Sequence, residues 1–229
     1  MLAFIGAMEE EVADIRANLS DIKETKAAGL VFTEGTYQGK PCVIVRAGIG
    51  KVNAALCTQA LLDRFPVTGV INTGIAGSLN PALRIGDLLL CTEAYQYDMD
   101  ASGFGYAVGQ IPRMDTRGFS ADPVLRGKAL RLAEKLLPDV GCLEGKVLTG
   151  DQFISSKEKK ETLIGMFGGD CCEMEGAAIA QVCHLNRVPF LIVRAISDSA
   201  DDSAGMDYTA FEKQAIAHSV TLSLAMIAD

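Results

Sequence analysis

Hydrophobic positions in this chain fall into two rhythms that alternate from one end to the other. Short β-branched runs read as buried strands, and stretches with apolar residues every three to four positions read as helices. A strand is predicted over 2–5 and a helix over 9–19. Runs over 31–37 and 42–47 form a hairpin-like pair about the turn Gln38-Gly39-Lys40-Pro41. The helix predicted over 51–62 carries Val52, Ala55, Leu56 and Ala60 near helical spacing. A strand over 70–72 runs into the glycine-rich segment Thr73-Gly74-Ile75-Ala76-Gly77-Ser78, and another spans 87–91. Residues 99–118 have little periodicity and read as a long functional loop. Asp122 caps a helix over 123–137, with Pro123 at its first position. There follow a strand over 143–148, a charged helix over 157–167, a short strand over 171–174 and a helix over 175–185. The β-branched run 189–196 is a central strand, and 208–227 closes the chain as a helix. This order predicts one α/β domain over 1–229, a central mixed β-sheet flanked by helices.

In open α/β sheets, ligands gather beyond the carboxyl ends of strands. Six junctions here carry polar or glycine-rich residues: 6–11, 48–51, 73–78, 149–154, 173–175 and 197–202. That convergence predicts one small-molecule site.

Composition narrows the ligand class. The formal net charge of -8 argues against nucleic acid and against an anionic membrane surface. No apolar run approaches the roughly 20 residues that span a bilayer, and 2–7 is too short and too acidic at its end for a signal peptide. Seven cysteines without a C-x-x-C pair read as buried, reduced thiols of a cytoplasmic protein. With His184 and His218 the only histidines, no metal or other cofactor is expected.

The candidate chemistry is acidic. Glu9, Glu10 and Glu11 open a helix, where acids also serve the helix dipole. Their helical spacing points them in different directions, so at least one can face the strand ends. Gly48-Ile49-Gly50-Lys51 and Thr73–Gly77 match neither phosphate-loop pattern, and small residues there serve either tight turns or close approach to a flat ligand. Glu175 is suited to a vicinal diol, because a carboxylate accepts two hydroxyl hydrogen bonds at once. Arg194 ends an apolar strand and needs an acidic partner, for which Glu11 or Glu175 are the candidates. Asp198 lies in a run that could equally be a turn cap.

Together, Gly6-Ala7-Met8-Glu9-Glu10-Glu11, Gly48-Ile49-Gly50-Lys51-Val52, Asn72-Thr73-Gly74-x-Ala76-Gly77, Gly150-Asp151-x-Phe153-Ile154, Glu173-Met174-Glu175 and Arg194-Ala195-Ile196-Ser197-Asp198 resemble the bacterial 5′-methylthioadenosine/S-adenosylhomocysteine nucleosidases. The motifs run in order along nearly the whole chain. The resemblance implies a nucleoside phosphorylase-like fold, a homodimer, a thioadenosine substrate, and hydrolysis of its N-glycosidic bond to adenine and a thioribose. It implies Asp198 as general acid at purine N7, oriented by Ser197, and Glu11 as the base for water, with Arg194 nearby. Glu175 and the Met174 backbone would hold the ribose. Phe153 would stack on the purine and Ile154 would bind its edge through the backbone. Ile49, Ala76, Gly77 and Glu173 would line the site and Tyr208 would cover it. Phe104 and Pro112 would reach the partner's 5′-thio pocket. One departure stands out: Ile75 occupies a position where the family commonly has serine. Futalosine-type nucleosidases of the same fold, and a non-catalytic nucleoside-binding domain, are the alternative readings.

Overall fold

Every residue of Gly69–Ser78 is buried, and the sheet is arranged around this strand. The computed structural model describes residues 1–229. In chain order the elements are β1 (Leu2–Gly6), α1 (Glu9–Ala17), β2 (Ser20–Ala27), β3 (Leu30–Tyr37), β4 (Lys40–Arg46), α2 (Lys51–Leu62), β5 (Gly69–Ser78), β6 (Leu88–Gln96), β7 (Phe119–Ser120), α3 (Pro123–Leu136), β8 (Cys142–Thr149), α4 (Lys157–Phe167), β9 (Cys171–Glu173), α5 (Gly176–Asn186), β10 (Phe190–Asp198) and α6 (Ala204–Ala228). The sheet is mixed, with β1, β4, β5 and β10 running parallel.

One edge of β5 serves two neighbours. Its first residues pair with β1 and its last two, Gly77 and Ser78, pair with β9. Its other edge pairs with β10 over Val70–Gly77. Because β10 continues to β6, β6 to β8 and β8 to β9, these strands close a ring with β5. The strands β1, β4, β3 and β2 extend from it as an open sheet. The main core joins Phe4, Ile5, Val43, Ile71, Leu89, Ile192 and their neighbours. A smaller cluster packs Leu79, Tyr97, Leu148, Ile154 and Phe167 together beside the ring. No helix is long and apolar enough to cross a membrane.

The single α/β arrangement agrees with the hydrophobic rhythm; beyond shifts of a few residues at element ends, such as α6 starting at Ala204, it departs from that rhythm in these segments. Residues 73–78 are strand, not a glycine-rich turn, because they lie between β10 and β9. The strand predicted over 87–91 continues to Gln96 along β8. The exposed edge strand β2 carries Lys, Glu, Asp and Thr with no apolar face, so only its pairing to β3 makes it a strand. Residues 99–118 hold one 3-10 turn, Ser102–Phe104, and are otherwise irregular.

Candidate active site

Both ends of the chain deliver a carboxyl group to β5. Glu11 is the third residue of α1 and folds back over the helix start, where Oε2 accepts from the Ala7 amide at 2.6 Å and the Met8 amide at 3.0 Å. Its Oε1 accepts from the Ile75 amide of β5 at 3.2 Å. Asp198 ends β10 at an irregularity in the pairing between Ile196 and Asp198. Such bulges re-aim a side chain. Its Oδ2 accepts from Ser197 Oγ and its Oδ1 from the Ala200 amide, both at 2.8 Å.

Two glycines of β5 make these placements possible. A Cβ on Gly74 would collide with Glu11 Oε1, and one on Gly77 would sit 2.7 Å from Asp198 Oδ1. Both carboxyl groups face one cavity.

Burial pushes both acids up. Glu11 is raised chiefly by desolvation, against the opposing charge of Arg194 and its backbone donors. Asp198 is raised by desolvation, against the hydrogen bonds from Ser197 and Ala200. A raised Asp can carry a proton nearer neutrality, as a general acid requires.

Glu175, just before α5, is raised by burial and by the charge of Glu173. Its Oε1 accepts from the Gly50 amide at 2.8 Å, which ties the third acid to the 48–51 turn. That turn is itself anchored. Lys51 Nζ pairs with Asp98 at 2.6 Å, and the Lys51 amide donates to Asp151 at 2.8 Å.

Arg194 is buried, and its acidic partner is Glu173, at 2.5 Å, rather than Glu11 or Glu175. It also donates to Asn72 Oδ1 at 2.5 Å. Glu173 is fully engaged. It takes the Thr149 hydroxyl on Oε1, and the Glu175 and Gly176 amides at 3.0 and 2.7 Å with Arg194 on Oε2. Glu173 thus reaches the cavity wall with its carboxylate already engaged, and Arg194 backs it without lining the cavity. Pairing of β8 with β9 sets Thr149 opposite Glu173, within reach of its carboxylate.

A cavity of about 500 Å³ lies among these residues, lined by Glu11, Ile49, Ile75, Ala76, Gly77, Phe153, Glu173, Met174, Glu175, Ser197, Asp198 and Tyr208. All six predicted junctions contribute to its neighbourhood. No Lys or Arg lines it. Phe153 and Tyr208 meet edge to face at 6.0 Å on its rim, and Phe153 is 52% exposed, leaving a ring face for a flat ligand. Ile154 is buried and borders a recess of about 30 Å³ beside Gly77 and Asp198. Of the three first-turn acids only Glu11 is buried, and Glu9 pairs with Arg16. Ala7 and Met8 of the first motif and Cys172, next to Glu173, also line the cavity. Gly205 lines it too, and nothing in the sequence around it marks it. Phe104, 88% exposed, and Pro112, also exposed, do not line this chain's cavity.

The comparisons with known proteins point the same way. The family model described as phosphorylase superfamily matches residues 1–228. The 5′-methylthioadenosine/S-adenosylhomocysteine nucleosidase of Geobacillus kaustophilus is 43% identical over 226 residues, 98% of this chain and 95% of that protein. The Neisseria meningitidis enzyme of the same name, solved with methylthio-immucillin-A, superposes with a TM-score of 0.95 at 37% identity, covering 99% of this chain and 98% of the other. A futalosine hydrolase of Helicobacter pylori superposes with a TM-score of 0.93 at 35% identity, covering 99% and 96%. The chain belongs to the phosphorylase superfamily and, within it, to the 5′-methylthioadenosine/S-adenosylhomocysteine nucleosidases.

Proposed function

We propose that this chain hydrolyses the N-glycosidic bond of 5′-methylthioadenosine and S-adenosylhomocysteine, with Asp198 as general acid and Glu11 as general base. The observation that carries the proposal is the pair of buried, upward-shifted carboxyl groups on one cation-free cavity. Adenine leaves poorly unless protonated. Asp198 gives its proton to purine N7 as the bond to C1′ breaks. Glu11 takes a proton from water, whose oxygen bonds to C1′. Ionised Glu11 favours the positive charge that develops on the sugar, and Glu175, raised by burial, serves the ribose hydroxyls.

Glu175 holds the two ribose hydroxyls beside the Met174 backbone, and Ser197 orients Asp198. Phe153 stacks on the purine, the Ile154 backbone reads its edge, and Tyr208 covers it. Ile49, Ala76 and Gly77 border the sugar and purine. Arg194 acts through Glu173 and through its charge on Glu11. In a cytoplasmic homodimer, Phe104 and Pro112 reach the partner's 5′-thio pocket. Support for that arrangement is the exposure of Phe104, Val52 and Leu56 on one chain.

The nucleophile is water, not phosphate. A phosphate dianion would meet Glu11, Glu173, Glu175 and Asp198 with no cation on the cavity wall. The test is adenine release from methylthioadenosine with and without phosphate, with futalosine as comparator. Equal rates in both buffers support hydrolysis. Release only with phosphate, or only from futalosine, refutes it.

A further inference from the structure

Past Asp198 the chain turns over 199–203 before α6 begins. Ala200 stands there at φ +50°, in the left-handed region that a residue with a Cβ enters at a cost. Such a conformation persists only where its surroundings hold it. The Ala200 methyl group is fully buried in the small cluster with Leu79, Tyr97 and Ile154.

The peptide group between Ser199 and Ala200 is gripped at both ends. Its N–H donates to Asp198 Oδ1 at 2.8 Å. Its carbonyl accepts from Lys160 Nζ of α4 at 2.5 Å. A peptide group is planar, so fixing its oxygen also fixes the direction of its N–H. An ammonium group on the oxygen polarises the N–H and strengthens the bond at the far end. Lys160 is half-buried, whereas Lys157, Glu158, Lys159 and Glu161 of the same helix are exposed.

On the reading of Asp198 as proton donor, on which this rests, we propose that Lys160 is a positioning residue. Through the Ser199 carbonyl it fixes the peptide whose amide aims the Asp198 carboxyl group at the purine. It touches neither the substrate cavity nor the carboxyl group itself. The other groups facing Asp198 are acids or neutral. Burial pushes Asp198 up, and Asp207 of α6 and Asp201 of the same turn add to that. Glu173 of β9 shares its recess but is engaged by Arg194. The Cys172 thiol of β9 is pushed up by burial and by Asp198, and so stays neutral.

The test is the pH profile of kcat/KM for methylthioadenosine in Lys160→Met, which keeps the apolar stem and removes the donor. Asp198 acts protonated, so activity falls as pH rises through its pKa. The Ala200 amide favours the ionised carboxylate. Loosening that amide raises the pKa, and the alkaline limb should move up by about half to one pH unit, the range one hydrogen bond supports. The acid limb, assigned to Glu11, should stay in place. At the optimum kcat should fall about two- to ten-fold. Lys160→Arg, which keeps a charged donor, should keep the parent's limb. Lys157→Met removes the same charge from an exposed position of α4 and should also leave the limb where it is. A parent-like limb in Lys160→Met, even with a lower Tm, overturns the proposal, as does an equal shift in Lys157→Met. Failure of the unaltered protein to release adenine from methylthioadenosine overturns the nucleosidase reading, and the role of Lys160 with it.

Discussion

Removing Arg194 should destabilise the fold steeply, and removing Glu173 as well should cost less than the two single losses summed. The pair is buried on both sides, with side-chain exposures of 2% and 3%. Glu173 faces donors only: the Thr149 hydroxyl, two backbone amides and the guanidinium. In Glu173→Gln the amide nitrogen must turn toward one of these donors, and Arg194 is left without a counter-charge. In Arg194→Met the carboxylate keeps three neutral donors in a dry site. Breaking one side of such a pair costs about 3–5 kcal/mol. For a domain of this length each kcal/mol lowers Tm by about 2–4 °C, so either variant should melt about 6–20 °C lower. Partners in direct contact couple by about 0.5–3 kcal/mol, so the double variant should lose less than the two singles summed. Urea unfolding of the parent, both singles and the double variant measures this. Strict additivity, or a single loss below about 1 kcal/mol, would refute the reasoning. A second readout separates scaffold from chemistry. Arg194 holds down the pKa of Glu11. Without it Glu11 titrates higher, and the acid limb of kcat/KM should move to higher pH if Glu11 must be ionised as base.

Asp198→Asn should lower kcat by about 10²–10⁴-fold, the contribution of a general acid. It should also stabilise the protein at pH 8 and not at pH 4. The folded-state pKa of Asp198 is raised, so the stability its protonated form contributes is full below the unfolded value and is lost as pH rises through the folded one. Asparagine never undergoes that loss, and unchanged turnover with no alkaline gain in Tm would count against the assignment. Gly77→Ala places a Cβ 2.7 Å from Asp198 Oδ1. It should depress kcat far more than KM, which steady-state kinetics on methylthioadenosine would show, and an intact kcat would mean the carboxyl group has room to retreat.

The site was legible in the sequence where its residues sit at strand ends. Polar residues after apolar runs need only local pattern to find, so Glu11, Glu175 and Asp198 stood out together. Long-range pairing was not legible. That Arg194 meets Glu173 depends on how β9 and β10, distant neighbours of β5, are brought together in the ring. The strand character of Thr73–Ser78 was hidden because its glycines mimic a turn. They are there because the Glu11 and Asp198 carboxyl groups lie against Gly74 and Gly77. β2 was hidden for the opposite reason, having no apolar face to betray it.

The last strand of the chain fits into the middle of the sheet, between β5 and β6. During synthesis those two strands therefore wait with unsatisfied edges until β10 emerges. Such edges invite pairing with other chains. A chain ending before β10 would be a broken ring, prone to aggregate and lacking Asp198.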